Sequence, residues 1–308
     1  MHRSIELAVP TDAAGEIVAA IGKLDGVVGL ARQVGASIVP AGDVVTVHAL
    51  NRDVDQVLRE TKRVCGDRPF TVVTAEVASI SDERNQHHID RDVDEAIWEE
   101  METGLRHQGR LTPNFLLLMG LGGLIGAAGA FAEPTLGVVA YVASAIITPG
   151  FEPLAKLPLG MVLRRWEVFR VGLLASLAGY AVLIAAAALT WPLLGLLGGT
   201  PASAFLEGEV LKHTLDPPPD VLAVSIAGAF AGIIILAAYR RSVIAGALVA
   251  MRLIEAASVA GIALGMGRFD LAGEALFRLG LDMLFVIGAG IIIFSLKQLL
   301  VHRRPSLR

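Results

Sequence analysis

Several stretches of this chain run for eighteen or more residues without a charged side chain, and that feature limits the fold more than any other. Asn114–Ala132 carries no charge, and neither does Val171–Leu197. About twenty apolar residues let a helix cross a hydrocarbon core of ~30 Å. The 308 residues are 54% hydrophobic, with a mean hydropathy of +0.62. An ordinary soluble protein is less apolar. Charge is segregated too. Residues 1–110 hold 12 Lys+Arg against 19 Asp+Glu, a net of −7, while residues 111–308 hold 14 against 11, a net of +3. An acidic soluble domain followed by a membrane domain is expected, with the lipid bilayer as the second domain's partner. Nothing forms the basic, aromatic-interleaved surface of a nucleic-acid binder.

Residues 1–80 read as an α+β domain. Ser4–Val9, Val27–Val34, Val44–Leu50 and Phe70–Ile80 have strand character. Two helices separate them: one capped by Thr11 or Asp12 and running to about Lys23, and Asp53–Val64. Pro40-Ala41-Gly42-Asp43 reads as a turn. The order βαββαβ predicts a ferredoxin-like sheet with both helices on one face. The open face needs cover, so a homo-oligomer is expected, with a dimer favoured. Met1-His2-Arg3-Ser4 leads straight into the first strand, so no signal peptide is expected. Cys65 is the single cysteine, which excludes an internal disulfide and fits a reducing setting.

Residues 81–110 form a charged connector, with a helix predicted over Asp90–His107. Its His87-His88-Ile89-Asp90-Arg91-Asp92-Val93-Asp94 run holds metal-ligand residue types. Adjacent histidines point apart on a helix, however, and no four-ligand spacing appears. It reads as a solvated acidic helix, with no metal and no cofactor.

Residues 111–300 read as six membrane helices: Asn114–Ala132, Thr135–Leu163, Val171–Leu197, Val221–Ala238, Ser242–Met266 and Leu271–Leu296. The second is too long for one straight span, about 43 Å at 1.5 Å per residue. Gly122-x-x-x-Gly126 and Gly129 supply a small-residue face for close helix packing or dimerisation. Arg106, Arg110, Arg164, Arg165, Arg170, Arg240, Arg241, Lys297 and the basic tail of residues 301–308 all fall on one side of such a bundle. The opposite connections hold only Lys212 and Arg268. The positive-inside rule then puts both termini in the cytoplasm, in the cell's inner (plasma) membrane.

The second span is interrupted by Ile146-Ile147-Thr148-Pro149-Gly150-Phe151-Glu152-Pro153. Prolines remove helix donors, and Gly150 adds freedom at the break. Glu152 stands deep in this segment, and Glu255 stands equally deep in the fifth. A charge at mid-depth costs about 2.5–3.5 kcal/mol on insertion scales, and intramembrane acids mark functional sites. Lys156 follows Glu152 by four residues and Arg252 precedes Glu255 by three, so each acid has a cation on its own helical face. Two readings follow: intrahelical ion pairs that only keep the helices in lipid, or a functional pair that binds a solute or cation or carries a proton. Thr148 and Gly150 join the second reading, because a broken helix frees backbone groups for a ligand. Glu274, Arg278 and Asp282 follow at i, i+4 and i+8 on one stripe of the last span, where they pair or snorkel.

A shift of 103 residues aligns Glu152 with Glu255, Arg165 with Arg268, Trp166 with Phe269 and Glu167 with Asp270. Each half, 114–197 and 221–296, then holds three spans. An odd number per repeat makes the second half insert inverted, an architecture of transporters.

Trp98-Glu99-Glu100-Met101, Leu111-Thr112-Pro113-Asn114-Phe115-Leu116-Leu117, the proline-containing second span with Arg165-Trp166, and Leu264-Gly265-Met266-Gly267-Arg268-Phe269 together resemble the DUF389 family of bacterial and archaeal membrane proteins. The resemblance covers roughly residues 85–300 and implies architecture rather than chemistry, since the family has no established activity. Where Glu152 and Glu255 stand, the family pattern has small residues or proline, so the two acids mark a subgroup.

The favoured reading is a transporter or channel-like protein for a small solute or ion, tuned by its cytosolic domain. The alternative is a membrane-anchored sensor or scaffold whose spans only anchor and oligomerise. The spans lack a nucleophile–base set or a metal cluster, so an enzyme is not expected.

Overall fold

The structure, a computed structural model, describes residues 2–77, 79–92, 95–107, 109–198, 202–239 and 242–301; for 106, 107, 239 and 242–250 it describes the backbone alone. Arg240, Arg241 and most of the predicted basic tail therefore lie outside the description. The chain divides into two compact units, Met1–Glu100 with Lys297–Pro305, and Met101–Leu296 with Ser306–Arg308.

In the first unit the elements are β1 (His2–Val9), α1 (Thr11–Ile21), β2 (Val27–Ile38), β3 (Ala41–Ala49), α2 (Val54–Cys65) and β4 (Thr71–Val77). The strands form one antiparallel sheet in the order β2-β3-β1-β4. Alternation explains the packing. Ile5 and Leu7 of β1 sit opposite Val47 and Val45 of β3, and all four are fully buried with Ile17 and Ile21 of α1 and Val54 and Val57 of α2. A strand's side chains alternate between faces, so one set is buried while its neighbours face outward. Each aliphatic side chain so buried contributes about 1.5–3 kcal/mol. Cys65 belongs to this core, and burial pushes its thiol pKa up.

Local expectations fail here for long-range reasons. The first residue outside α1 is Pro10, and no side chain caps the helix. Thr11 instead donates its hydroxyl to Asp43 at 2.8 Å. Asp43 is not turn chemistry either. The tight turn is Val39-Pro40, flanked by the Ile38–Ala41 pair, and Asp43 lies buried in β3. Its carboxylate also accepts from the Gly35 amide at 2.9 Å and from Arg32 Nε at 2.7 Å. Gly35 has φ +65° in the irregular part of β2, so Asp43 ties down that bulge. The Gly35 amide, with help from Thr11 and Arg32, holds the Asp43 carboxyl below its usual range.

The single helix predicted over Asp90–His107 is instead two, α3 (Gln86–Asp90) and α4 (Trp98–His107). Asp92 is the reason. Its side chain is 1% exposed rather than solvated, and it accepts from the Asn51 amide at 2.6 Å and sits 3.3 Å from His2 Nδ1. Continuing a helix through Asp92 would forfeit these bonds. Val93 and Asp94 of the histidine-acid run lie outside the described residues.

The second unit is helical. It contains α5 (Pro113–Ala130), α6 (Pro134–Ile147), α7 (Phe151–Val162), α8 (Trp166–Leu196), α9 (Ala202–Leu206), α10 (Glu209–Leu215), α11 (Pro219–Tyr239), α12 (Ser242–Gly265) and α13 (Phe269–Leu300). Among the described residues four helices are long and apolar enough to cross a membrane, and five if α6 and α7, bent by 53°, are one broken span. Of the six expected spans, four or five are thus met by length and composition among the described residues. Thr112 opens α5 by accepting from the Phe115 amide at 3.2 Å, with Pro113 at the first helical position, where its missing N–H costs nothing.

The small residues pack helices within the chain. The backbone of Gly123 in α5 leaves no room for a Cβ beside the Leu183 carbonyl of α8, and Gly126 does the same beside Ser258 of α12. Phe131 at the end of α5 stacks on Trp191 near the end of α8, at 5.7 Å. α5 and α8 therefore run parallel. α7 runs antiparallel to α8, with Gly160 against Phe169 and Gly172 against Lys156 and Pro153. At the far end of α8, Ala188 meets Gly265, the last residue of α12.

Two turns in this bundle are alike. After α7, the Arg165 amide bonds to the Gly160 carbonyl at 2.7 Å and the Arg164 amide to Met161 at 3.2 Å. After α12, the Arg268 amide bonds to Ala263 at 2.8 Å and the Gly267 amide to Leu264 at 3.0 Å. These are the same bonds 103 residues apart, the paired closure of a Schellman motif. The residue in the left-handed region also recurs at that interval, Arg164 at φ +53° and Gly267 at φ +74°. The first turn adjoins the start of α8 and the second adjoins Ala188. The stretch between, at 1.5 Å per residue, is about 33 Å, close to one hydrocarbon thickness.

Candidate functional site

The predicted interruption is real and falls at Thr148-Pro149-Gly150. α6 stops at Ile147 and α7 starts at Phe151. Pro149 cannot donate to the Ala145 carbonyl, and the Gly150 amide turns to Thr148 O at 2.8 Å instead of continuing the helix. Pro153 lies in the first turn of α7, where no intrahelical donor is needed.

Glu152 and Glu255 each stand ten residues before the last residue of their helices, Val162 and Gly265. That is about 15 Å from the equivalent turns, near the middle of a hydrocarbon core. Glu152 is 8% exposed. The two acids have different surroundings. Glu255 pairs with Arg252 at 2.9 Å, as its spacing predicts, and also accepts from Thr214 of α10 at 3.3 Å. On the other helix, Lys156 is 1% exposed, and its Nζ donates to the Gly109 carbonyl at 3.0 Å.

The stripe of Glu274, Arg278 and Asp282 divides. Glu274 is exposed. Arg278 and Asp282 are 5% and 4% exposed and do not snorkel. Arg278 Nε donates to Asp282 at 3.0 Å, and its Nη2 donates to Ser225 of α11 at 2.8 Å. Asp282 lies within electrostatic reach of Glu255 and Arg252. Arg278, Asp282 and Ser225 thus form a buried group, and the half-buried Arg252–Glu255 pair of α12 lies within its electrostatic reach, which sequence spacing did not indicate.

Tyr180 is the residue that sequence reading missed. It lies midway along α8, 4% exposed, within electrostatic reach of both Glu152 and Asp282. Its hydroxyl lies against Gly150, where an added Cβ would fall 2.9 Å from it. A lone tyrosine in an uncharged span gives no periodic signal. Its packing against a glycine thirty residues away becomes visible only in three dimensions.

Two cavities flank this layer. One, of about 280 Å³, is lined by Glu102, Arg110, Lys156, Arg165, Glu167 and Val171. It sits where α8 begins, and Arg165 and Glu102 pair across it at 2.8 Å. The other, of about 310 Å³, is lined by Thr214, Pro217, Gly273, Glu274, Phe277 and Arg278. It sits over the first turns of α13. The first reaches Lys156, one turn from Glu152. The second reaches Thr214 and Arg278, which hold Glu255 and Asp282.

These apolar helices around buried charges define the class, a helical membrane protein. The family model described as a domain of unknown function (DUF389) matches residues 145–288. Over that region the chain is similar to the DUF389 family. The match starts at the end of α6 and takes in Glu152, Tyr180, Glu255, Arg278 and Asp282. No curated protein and no solved structure matches the chain.

Proposed function

We propose that this protein is a transporter or channel-like protein that moves a small solute or ion across the membrane without chemical conversion. One observation carries the reading: a buried layer of charged and hydroxyl side chains, drawn from both halves of the bundle, with a cavity at each end. An anchor has no use for such a layer, since every buried charge is costly in hydrocarbon. This weighs against the alternative of a sensor or scaffold held by inert spans.

The architecture we read into it is six spans in two inverted repeats. The two turns with identical hydrogen bonds, 103 residues apart and at opposite ends of α8, support it. Under that reading the two cavities open to opposite sides, both termini are cytoplasmic, and the location is the inner membrane. We read the strand order β2-β3-β1-β4 as ferredoxin-like. The sheet face away from the helices presents Ser4, Glu6, Thr46 and the 54%-exposed Val73. It carries little charge, which favours pairing with a second copy of this domain. Light scattering of the full chain in nanodiscs should return a dimer mass, and Val73→Arg should shift it toward the monomer. A monomer mass for the wild type contradicts the dimer.

Transport is tested in proteoliposomes by recording currents and pH changes across a panel of inorganic ions, amino acids and small carboxylates. The reading expects a saturable response to at least one solute. Responses indistinguishable from protein-free vesicles across the panel contradict it.

A further inference from the structure

Three hydroxyls around the break between α6 and α7 have no hydrogen-bond partner among the described residues: Thr148 Oγ1, Ser176 Oγ and Tyr180 Oη. Their residues are 5%, 4% and 4% exposed. Buried hydroxyls in helices ordinarily satisfy themselves; three others in this bundle do, while Tyr141 Oη of α6 and Ser258 Oγ of α12 do not. Thr190 bonds its own i−4 carbonyl at 3.2 Å, Thr214 does so at 2.7 Å, and Ser144 donates to the Gly122 carbonyl at 2.7 Å. An orphaned buried hydroxyl forfeits about 1–3 kcal/mol. Three around one break call for a common occupant.

The three lie on helix faces that meet near the break. Thr148 Oγ1 lies so close to Gly122 of α5 that no Cβ fits there, and Tyr180 Oη lies against Gly150. Ser176 is one helical turn from Tyr180 and one from Gly172, which packs on Pro153 and Lys156 of α7. It therefore shares the stripe of α8 that faces the start of α7. Backbone oxygens join them. Pro149 leaves the Ala145 carbonyl without its helical donor, and the Gly150 amide is taken by Thr148 O rather than by the Ile146 carbonyl.

We infer that the α6–α7 break binds a partly dehydrated monovalent cation, Na⁺ being the best fit, held by Thr148, Tyr180, Ser176 and the freed carbonyls of α6. This inference rests on the transport reading above and gives it a substrate or coupling ion. Every donor is an oxygen, and hard cations take oxygen ligands. The C-terminal end of α6 contributes the negative pole of its dipole, and unwound carbonyls in broken membrane helices serve this role. Glu152 opposes the positive pole at the start of α7 and supplies charge balance from within electrostatic reach of Tyr180. Lys156, one turn from Glu152 and within its electrostatic reach, gives one of its three Nζ protons to the Gly109 carbonyl.

The test is the thermal midpoint of the purified full chain in detergent, in NaCl against choline chloride at matched ionic strength. Na⁺ should raise it saturably, by about 5 °C at high occupancy. Tyr180→Phe and Thr148→Val should each lose most of that rise, Thr148→Ser should keep it, and Glu274→Gln, on the exposed side of α13, should keep it. Equal midpoints in the two salts overturn the site, as does an undiminished rise in both hydroxyl-deleting variants. Calorimetric titration of the wild type with NaCl needs no variant. It should show one site per chain, and heats of dilution alone overturn the proposal. The two readings fail separately. Na⁺ binding with no flux of any solute leaves the site and removes transport. Flux with no Na⁺ effect on the midpoint or calorimetry leaves transport and removes the site.

Discussion

The surroundings of Glu152 and Glu255 differ in a way their shared position does not suggest. Both acids stand ten residues before an equivalent turn. Glu255 lies in an unbroken helix and is held by Arg252 and Thr214. Glu152 lies in the first turn after a break, within electrostatic reach of Lys156 and Tyr180. Glu255 thus has named partners on α12 and α10, while the break beside Glu152 carries unpaired hydroxyls at Thr148 and Tyr180. Prolines make the difference: Pro149 sits where the second half has Arg252, and α12 runs unbroken. Under the inverted-repeat reading proposed above, the first half is the receptive one and the second the fixed one.

The largest effect should come from attacking the fixed half. Arg278→Ala leaves Asp282 buried without its partner, and removing one member of a buried pair costs about 3–5 kcal/mol. The thermal midpoint in detergent should fall by several degrees or the variant should not fold, whereas Glu274→Ala on the exposed side of the same helix should leave it unchanged. Equal effects at the two positions would break the division between paired and exposed residues.

The turns sharpen the comparison on a smaller scale. Gly267 sits at φ +74° and Arg164 at φ +53°. A non-glycine residue in that region costs roughly 1–2 kcal/mol. Gly267→Ala should destabilise by about that amount, and Arg164→Gly should stabilise by a fraction of it. If both changes act with the same sign, the turns are not equivalent. Topology is checked by labelling in a Cys65→Ala background. Ala202→Cys should react from outside the cell and not from the cytoplasm, and labelling only from the cytoplasmic side would reverse the orientation.

The smallest expected effect lies outside both halves. Asp43 is held below its usual carboxyl range, so its contribution is present above the unfolded value of about 3.9 and is lost as pH falls through the lower folded value. Hydrogen exchange in β2 should therefore quicken under acid, and Asp43→Asn should quicken it already at neutral pH. Exchange that is insensitive to both would remove Asp43 from its role at the bulge.

What the sequence made legible was whatever period and composition encode. The strands of the first unit, its two main helices, the apolar spans and the break at Thr148-Pro149-Gly150 were all visible to local rules. The Arg252–Glu255 pair was legible too, because three residues along a helix share a face. Lys156 was legible as a buried cation, but its bond to Gly109, forty-seven residues away, was not. The helix predicted through Asp92 failed because a carboxylate bonded to Asn51 outweighs local propensity. Tyr180 was invisible because nothing local distinguishes it. The gathering of Asp282 with Glu255 depends on how α13 packs, and no spacing within one helix encodes that.

The central claim is that charge at the two mid-depth acids serves movement of a solute. The measurement that tests it most directly is solute flux in proteoliposomes with Glu152→Gln and Glu255→Gln made separately. A charge-assisted contact is worth ~1.5–3 kcal/mol, and 1.4 kcal/mol is about tenfold. The account predicts that Glu152→Gln lowers flux about tenfold or more and alters its pH dependence, while Glu255→Gln has the smaller effect. Flux that survives both substitutions with its pH profile unchanged would make the acids structural and contradict the account.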